Sequence, residues 1–405
     1  MHPEMTLVLL FTAATAVAIA ARHVKIPYTV ALVLGGLALG ATHFAHDVHL
    51  TKELLFTVFL PGLVFEASYH LKFSDFRANA VAIVSLAVPG VVVAIGATAA
   101  LLVTSSSFAG SAKGGFDWSH SLIFASLIAA TDPIAVVALF KTLGAPKRLG
   151  VLIEGESLVN DGTAIVLFTL VYAAVTGGGM SVGEGVLAFV RIVGTGFFIG
   201  AIVGLAATHV IKRIDDPMIE ITLTVIAAYG SFVVSEEFQA SGVIATVTAG
   251  MISGSFAAPR MSATTRVAVE SFWEYIAFAL NSMVFLLIGT AVSVGHLIHA
   301  WRPILLAFFA VTVGRAIVVF AATALLRPTR ERIPWKWSVM LTWGGLRGAL
   351  SMVLALALPY EFPDRDLIVT MTFGVVLLSI VVQGISAGPV LRRLGLASPI
   401  SVDVS

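Results

Sequence analysis

The 405-residue chain is dominated by apolar runs of 17 to 28 positions, separated by short connections that carry most of its charged side chains. A helix crosses the hydrocarbon layer in about 20 residues. Lipid offers no hydrogen bonds to the backbone, so helices and closed barrels are the two ways across. The runs are too long and too continuous for the roughly 10-residue alternating strands of a barrel. The pattern predicts an all-α polytopic membrane protein of about thirteen transmembrane helices, at roughly 5–21, 26–43, 51–70, 79–103, 118–141, 149–176, 185–211, 217–235, 240–256, 268–293, 302–326, 335–359 and 366–391. These are called spans 1 to 13 below.

The first run lacks the positive leader of a signal peptide, since Met-His-Pro-Glu-Met precedes it, and we read it as a retained helix that starts outside. Lys and Arg gather on the cytoplasmic side of membrane proteins. With the N-terminus outside, the inner connections, tail and adjoining span ends hold 17 basic residues, the outer ones 5, and Arg315 and Arg347 lie deeper within spans. That asymmetry supports N-out, C-in. No Pro/Ser-rich linker or charge block divides the chain, so residues 1–405 read as one membrane domain without a soluble module. On topology, spans 1–6 and 8–13 are expected to be two six-helix repeats of opposite orientation joined by span 7.

Composition narrows the class further. Only 12% of residues are charged, 58% are hydrophobic and the mean hydropathy is +0.99, against about a quarter charged in soluble proteins. A net charge of +1 without dense basic clusters argues against nucleic-acid binding. The chain has no cysteine, so disulfides and thiolate metal sites are excluded. No cofactor is implied. GxxxxGK[ST] and HExxH are both missing, which removes the simplest signals for ATP-driven transport and zinc proteolysis. The reading is a transporter, not an enzyme.

Ionisable groups inside the bilayer are costly and mark function by default. Span 5 contains Thr131-Asp132-Pro133, and Pro133 has no N–H and disfavours helical geometry at Asp132, so a broken helix is expected there. A broken helix at mid-membrane frees carbonyls and half-helix ends for small ions, a plain proline kink being the bland alternative. Span 6 reads IEGESLVNDGTA. Glu154, Ser157 and Asp161 share one stripe, Glu156 and Asn160 the next, and Asp161 lies about three turns beyond Gly150, near mid-depth. Glu66 follows Pro61-Gly62 in span 3, where another break is expected. A buried arginine stays charged and needs a partner. We assign Glu156 to Arg315, with Arg347 as the competing candidate, leaving Asp132 and Asp161 for chemistry. Span 12, interrupted by Gly344, Gly345 and Gly348, corresponds to span 5 in the inverted repeat, and paired interrupted helices point to a transport site.

Other features have plainer readings. His43, His46 and His49 read as solvated loop residues, His209 as a helix-end partner, and Gly177 to Gly179 as a flexible connector. The ridge of Gly196, Gly200 and Gly204 suits close helix packing.

With IEGESLVNDGTA, ATDP, FEAS, LNSMVFLLIG and GGLRGALS in order, the chain resembles sodium/proton antiporters of the cation/proton antiporter superfamily, in the branch with Asn-Asp in the sixth helix. The resemblance runs from span 1 to span 13. It implies inverted repeats with crossed spans 5 and 12, a core domain moving against a dimerisation domain, and a homodimer in a bacterial inner membrane. It implies that Asp161 alternately carries cation and proton, that Asp132, Ser157 and the Thr131 main chain help hold Na+, that Glu66 acts through water, that Asn160 orients the site, and that Glu156 pairs with Arg315. It also implies electroneutral exchange of monovalent cations, Na+ or Li+, for protons. The tail after Leu391 is about fourteen residues, which departs from long-tailed eukaryotic exchangers and their regulation. A K+/H+ antiporter of the same fold, a passive cation channel and an intramembrane aspartyl protease are the alternatives.

Overall fold

The computed structural model describes residues 3–24, 28–41, 54–108, 117–177, 179–291 and 294–397. Among them there are helices and no strand, as expected for an apolar chain whose backbone groups must be satisfied within each segment. Eight of the described helices are long and apolar enough to cross a membrane, with shorter apolar helices at Leu10–Ala21, Tyr28–Gly40 and Ile134–Leu143. Helix ends follow the apolar runs closely: Lys147–Thr176, Val182–Ile211 and Trp301–Leu325 begin and end within three residues of spans 6, 7 and 11. The triplet of loop histidines, His43, His46 and His49, lies outside the described residues.

Proline and glycine act as the sequence suggests in some places and not in others. The Asp-Pro of span 5 separates a helix at Trp118–Leu127 from another at Ile134–Leu143. The glycines of span 12 separate Trp335–Trp343 from Ala349–Leu356. Pro61-Gly62, however, makes no break. A π-helical turn at Leu55–Phe59 runs directly into the helix Leu60–His70, and Pro61 follows that turn as the second residue of the helix. Further π turns interrupt spans 8, 9 and 13 at Ile226–Gly230, Ser253–Ala257 and Ser379–Gln383.

The chain divides into two compact units. The first comprises Met1–His49, Asn79–Asn160 and Phe285–Ser405. Within it, Trp301–Leu325 packs against Pro89–Phe108, Trp335–Trp343 and Arg365–Leu378. Both broken helices belong to this unit. The second unit comprises Leu50–Ala78 and Asp161–Val284. Its core gathers Phe65, Tyr69, Ala227, Ala249, Val269 and Trp273, with the Phe65 and Trp273 rings 4.7 Å apart. The ridge Gly196, Gly200 and Gly204 is buried against Gly242–Ile252 so tightly that a Cβ on Gly200 would lie 2.2 Å from the Ala245 carbonyl oxygen. The same helix leaves Val186, Leu187, Val190, Phe198 and Ile202 exposed, an apolar face suited to lipid.

Candidate functional site

The break in span 5 leaves carbonyls of its first half without the usual partners four residues on. Arg347, 5% exposed in the break of span 12, fills that need. Its Nη1 donates to the carbonyls of Ile128 and Ala129 at 2.7 Å and reaches that of Ala130 at 3.3 Å. A cation at the C-terminal end of a half-helix also meets the negative pole of the helix dipole. The two breaks touch through their main chains, since Asp132 N–H donates to the Leu346 carbonyl at 2.8 Å. Spans 5 and 12 thus meet at their interruptions.

Span 6 closes this arrangement from another side. The Ser157 hydroxyl donates to the freed Thr131 carbonyl. Asn160 Nδ2 donates to the Ala129 carbonyl and to Thr131 Oγ1, both at 3.1 Å. Thr131, Ser157 and Asn160 are all buried. Asp132 is half-buried, and its Oδ1 accepts the N–H of Ile134, the first residue of the second half-helix, at 3.1 Å. The break thus gathers the Thr131 carbonyl and Ser157 hydroxyl in contact, with the Asp132 carboxylate on the next residue.

One turn earlier on span 6, Glu156 meets Arg315 in a forked pair, with Nη1 to Oε1 at 2.7 Å and Nη2 to Oε2 at 2.8 Å. Both are buried. Arg315 Nε and Nη2 also donate to the Leu341 carbonyl in the last turn of Trp335–Trp343. Each broken helix thus has an arginine on the open end of its first half: Arg347 for span 5 and Arg315 for span 12.

The glycines of GGLRG explain themselves at this distance. A Cβ on Gly345 would stand 2.1 Å from Arg315 Nε, and one on Gly348 would stand 2.3 Å from the Asp132 Cβ. Only glycine lets the guanidinium and the carboxylate come so close. Sequence reading missed two further residues here. Arg347 N–H donates to Ser379 Oγ at 3.0 Å, and that hydroxyl donates to Gln383 Oε1 at 2.6 Å. Both lie on the π turn of span 13, which has no sequence signal of its own.

The remaining site residues belong to the second unit. Asp161 follows Asn160 directly in the continuous helix Lys147–Thr176, four residues after Ser157 and on its stripe. It is half-buried. Glu66 lies in Leu60–His70, its Oε1 3.3 Å from His70 Nδ1, a neighbour that sequence reading did not pick out. His209 is exposed in the last turn of its helix.

The chain matches the family model described as sodium/hydrogen exchanger, transmembrane, over residues 7–393. It is 38% identical to the Na+/H+ antiporter ApNhaP of Aphanothece halophytica over 92% of this chain and 70% of that one. It is 34% identical to the Na+/H+ antiporter NhaH of Halobacillus aidingensis over 96% of this chain and 97% of that one. The solved structure of the sodium proton antiporter MjNhaP1 from Methanocaldococcus jannaschii at pH 8 superposes with a TM-score of 0.75, covering 96% of this chain and 97% of that chain at 19% identity, which speaks to the fold. A family match across nearly the whole length, together with two broken helices held by arginines, places this chain in the sodium/hydrogen exchanger family.

Proposed function

We propose that the protein is a secondary active antiporter that exchanges Na+ or Li+ for protons by alternating access, with Asp161 as the shared carrier. The observation that carries this reading is the set of oxygens at the span 5 break, Thr131, Asp132 and Ser157, held in place by Asn160 and Arg347 in a chain of the sodium/hydrogen exchanger family. The relatives named above are Na+/H+ antiporters.

The mechanism is competition for one carboxylate. Protonated Asp161 is a poor ligand for a cation; ionised Asp161, with Asp132, Ser157 and the Thr131 main chain, completes an oxygen site for Na+. Loading one side with cation and the other with proton couples the two flows without ATP once the site opens alternately to each face. Asn160, neutral where a second acid would titrate, leaves one exchangeable charge, and the cycle is electroneutral. Glu66 acts through water. Glu156 and Arg315 are a structural pair and stay out of the exchange. The protein works as a homodimer in a bacterial inner membrane, N-terminus outside and C-terminus cytoplasmic.

Reconstitution into proteoliposomes with an internal pH dye tests this directly. Addition of external NaCl or LiCl is expected to drive protons out of the lumen and raise the internal pH. A response to KCl alone would make the protein a K+/H+ antiporter. Cation flux without proton movement would make it a channel, and no flux at all would remove the transport reading.

A further inference from the structure

Asp132 faces two ways. One side of the break holds Thr131, Ser157 and Asn160. On another side the first unit holds a small cavity of about 10 Å3 open to a water centre, lined by Thr29, Asp132, Ala135, Phe285, Leu346, Arg347 and Ile380. That volume is about what one water molecule needs.

Thr29 is the unexpected member. It is the second residue of the helix Tyr28–Ala41 and 5% exposed, and its hydroxyl has no hydrogen-bond partner in the protein. Elsewhere in this chain buried threonines return the hydroxyl to the carbonyl four residues back, as Thr208, Thr248 and Thr372 do. Thr29 stands ahead of the first such carbonyl in its own helix. A buried hydroxyl without a partner is costly, of the order of 1–3 kcal/mol, unless water satisfies it. An otherwise apolar cavity would stay dry, but Thr29, Asp132 and Arg347 line this one.

We propose that a single buried water bridges Thr29 Oγ1 to the Asp132 carboxylate, making Thr29 a positioning residue for the cation site. The inference deepens the antiport reading and rests on it. Asp132 Oδ1 is tied to the Ile134 N–H from the half-helix side. The water restrains the carboxylate from the opposite, cavity side, so its remaining lone pairs stay directed at the cation. Losing the water frees the carboxylate to turn and weakens cation binding without altering the carrier.

Thr29→Val keeps the side-chain shape and removes the hydroxyl; Thr29→Ser keeps the hydroxyl. In proteoliposomes Thr29→Val is expected to raise the KM for Na+ about three- to tenfold, the range of one lost hydrogen bond, with little change in kcat. Thr29→Ser is expected to stay near wild type. An unchanged KM in Thr29→Val, or an equal loss of kcat in both variants, overturns the positioning role. Cryo-electron microscopy at a resolution that shows ordered water gives the readout independent of transport. Density between Thr29 and Asp132 in the wild type, gone in Thr29→Val, is expected, and an empty wild-type cavity overturns the bridge. If wild-type protein moves no protons on adding Na+, the antiport reading falls by itself, while the water density still decides whether the bridge exists.

Discussion

At the scale of single residues, the site is a set of donors committed before any cation arrives. Arg315 serves Glu156 and Leu341 together, so removing it strands a buried carboxylate and a half-helix carbonyl. Breaking a buried pair from one side costs about 3–5 kcal/mol. Arg315→Ala should therefore lower the thermal midpoint in detergent by many degrees, and a midpoint equal to wild type would show that the pair contributes nothing to stability. Asp117 gives a pH-dependent counterpart outside the membrane. Its carboxylate accepts the His120 N–H at the start of Trp118–Leu127, which holds its pKa below the ordinary 3.8. A depressed carboxylate adds stability above its unfolded value and loses it as pH falls through the folded one. The stability gap between wild type and Asp117→Ala should be full at neutral pH and close below the ordinary carboxylate range, read as thermal midpoints across an acid series. Residue-level legibility was uneven for a physical reason. Glu156 and Arg315 were legible as a pair because both are charged within apolar runs, a cost that forces a partner. The role of Arg347 was not, because its partners are main-chain carbonyls more than 200 positions away and carry no side-chain signal.

At the scale of elements, the two broken helices act as one unit. Asp132 N–H bonds across to Leu346, Arg347 covers the end of one half-helix, and Arg315 covers the end of the other. Arg347→Leu would leave the Ile128 and Ala129 carbonyls without their donor, at about 1–3 kcal/mol for each buried group. Its thermal midpoint should fall well below wild type, while Arg347→Lys, which keeps the charge but not the planar fork, should recover part of the loss. Equal midpoints for all three proteins would mean water or neighbouring groups satisfy those carbonyls instead. The breaks themselves were legible, since Asp-Pro and a run of glycines defeat helical hydrogen bonding locally. The π turns were not: Leu55–Phe59 and Ser379–Gln383 consist of good helix residues, and their extra residue per turn is set by what packs around them. The same turn at span 3 absorbs Pro61, which is why the break expected there is not found.

At the scale of the whole molecule, few charges remain inside the apolar runs, and six of them carry the antiport reading: Glu66, Asp132, Glu156, Asp161, Arg315 and Arg347. The apolar periodicity located the helices because a bilayer imposes length on each crossing. The division into two compact units was beyond it, since the boundary falls inside a continuous helix, between Asn160 and Asp161. With one exchangeable charge per cycle, transport should ignore membrane potential. A net charge moved across 100 mV would be worth about 2.3 kcal/mol. Proton movement in proteoliposomes should therefore be the same at zero potential and under a potassium-diffusion potential, and a potential-driven rate would assign a second charge to the cycle.

The central claim is that Asp161 is the carboxylate for which cation and proton compete. Asp161→Asn keeps the size and removes the titration. In everted vesicles this variant should show no Na+-dependent proton movement while its purified thermal midpoint stays within a few degrees of wild type. Sustained Na+/H+ exchange by folded Asp161→Asn would contradict the account.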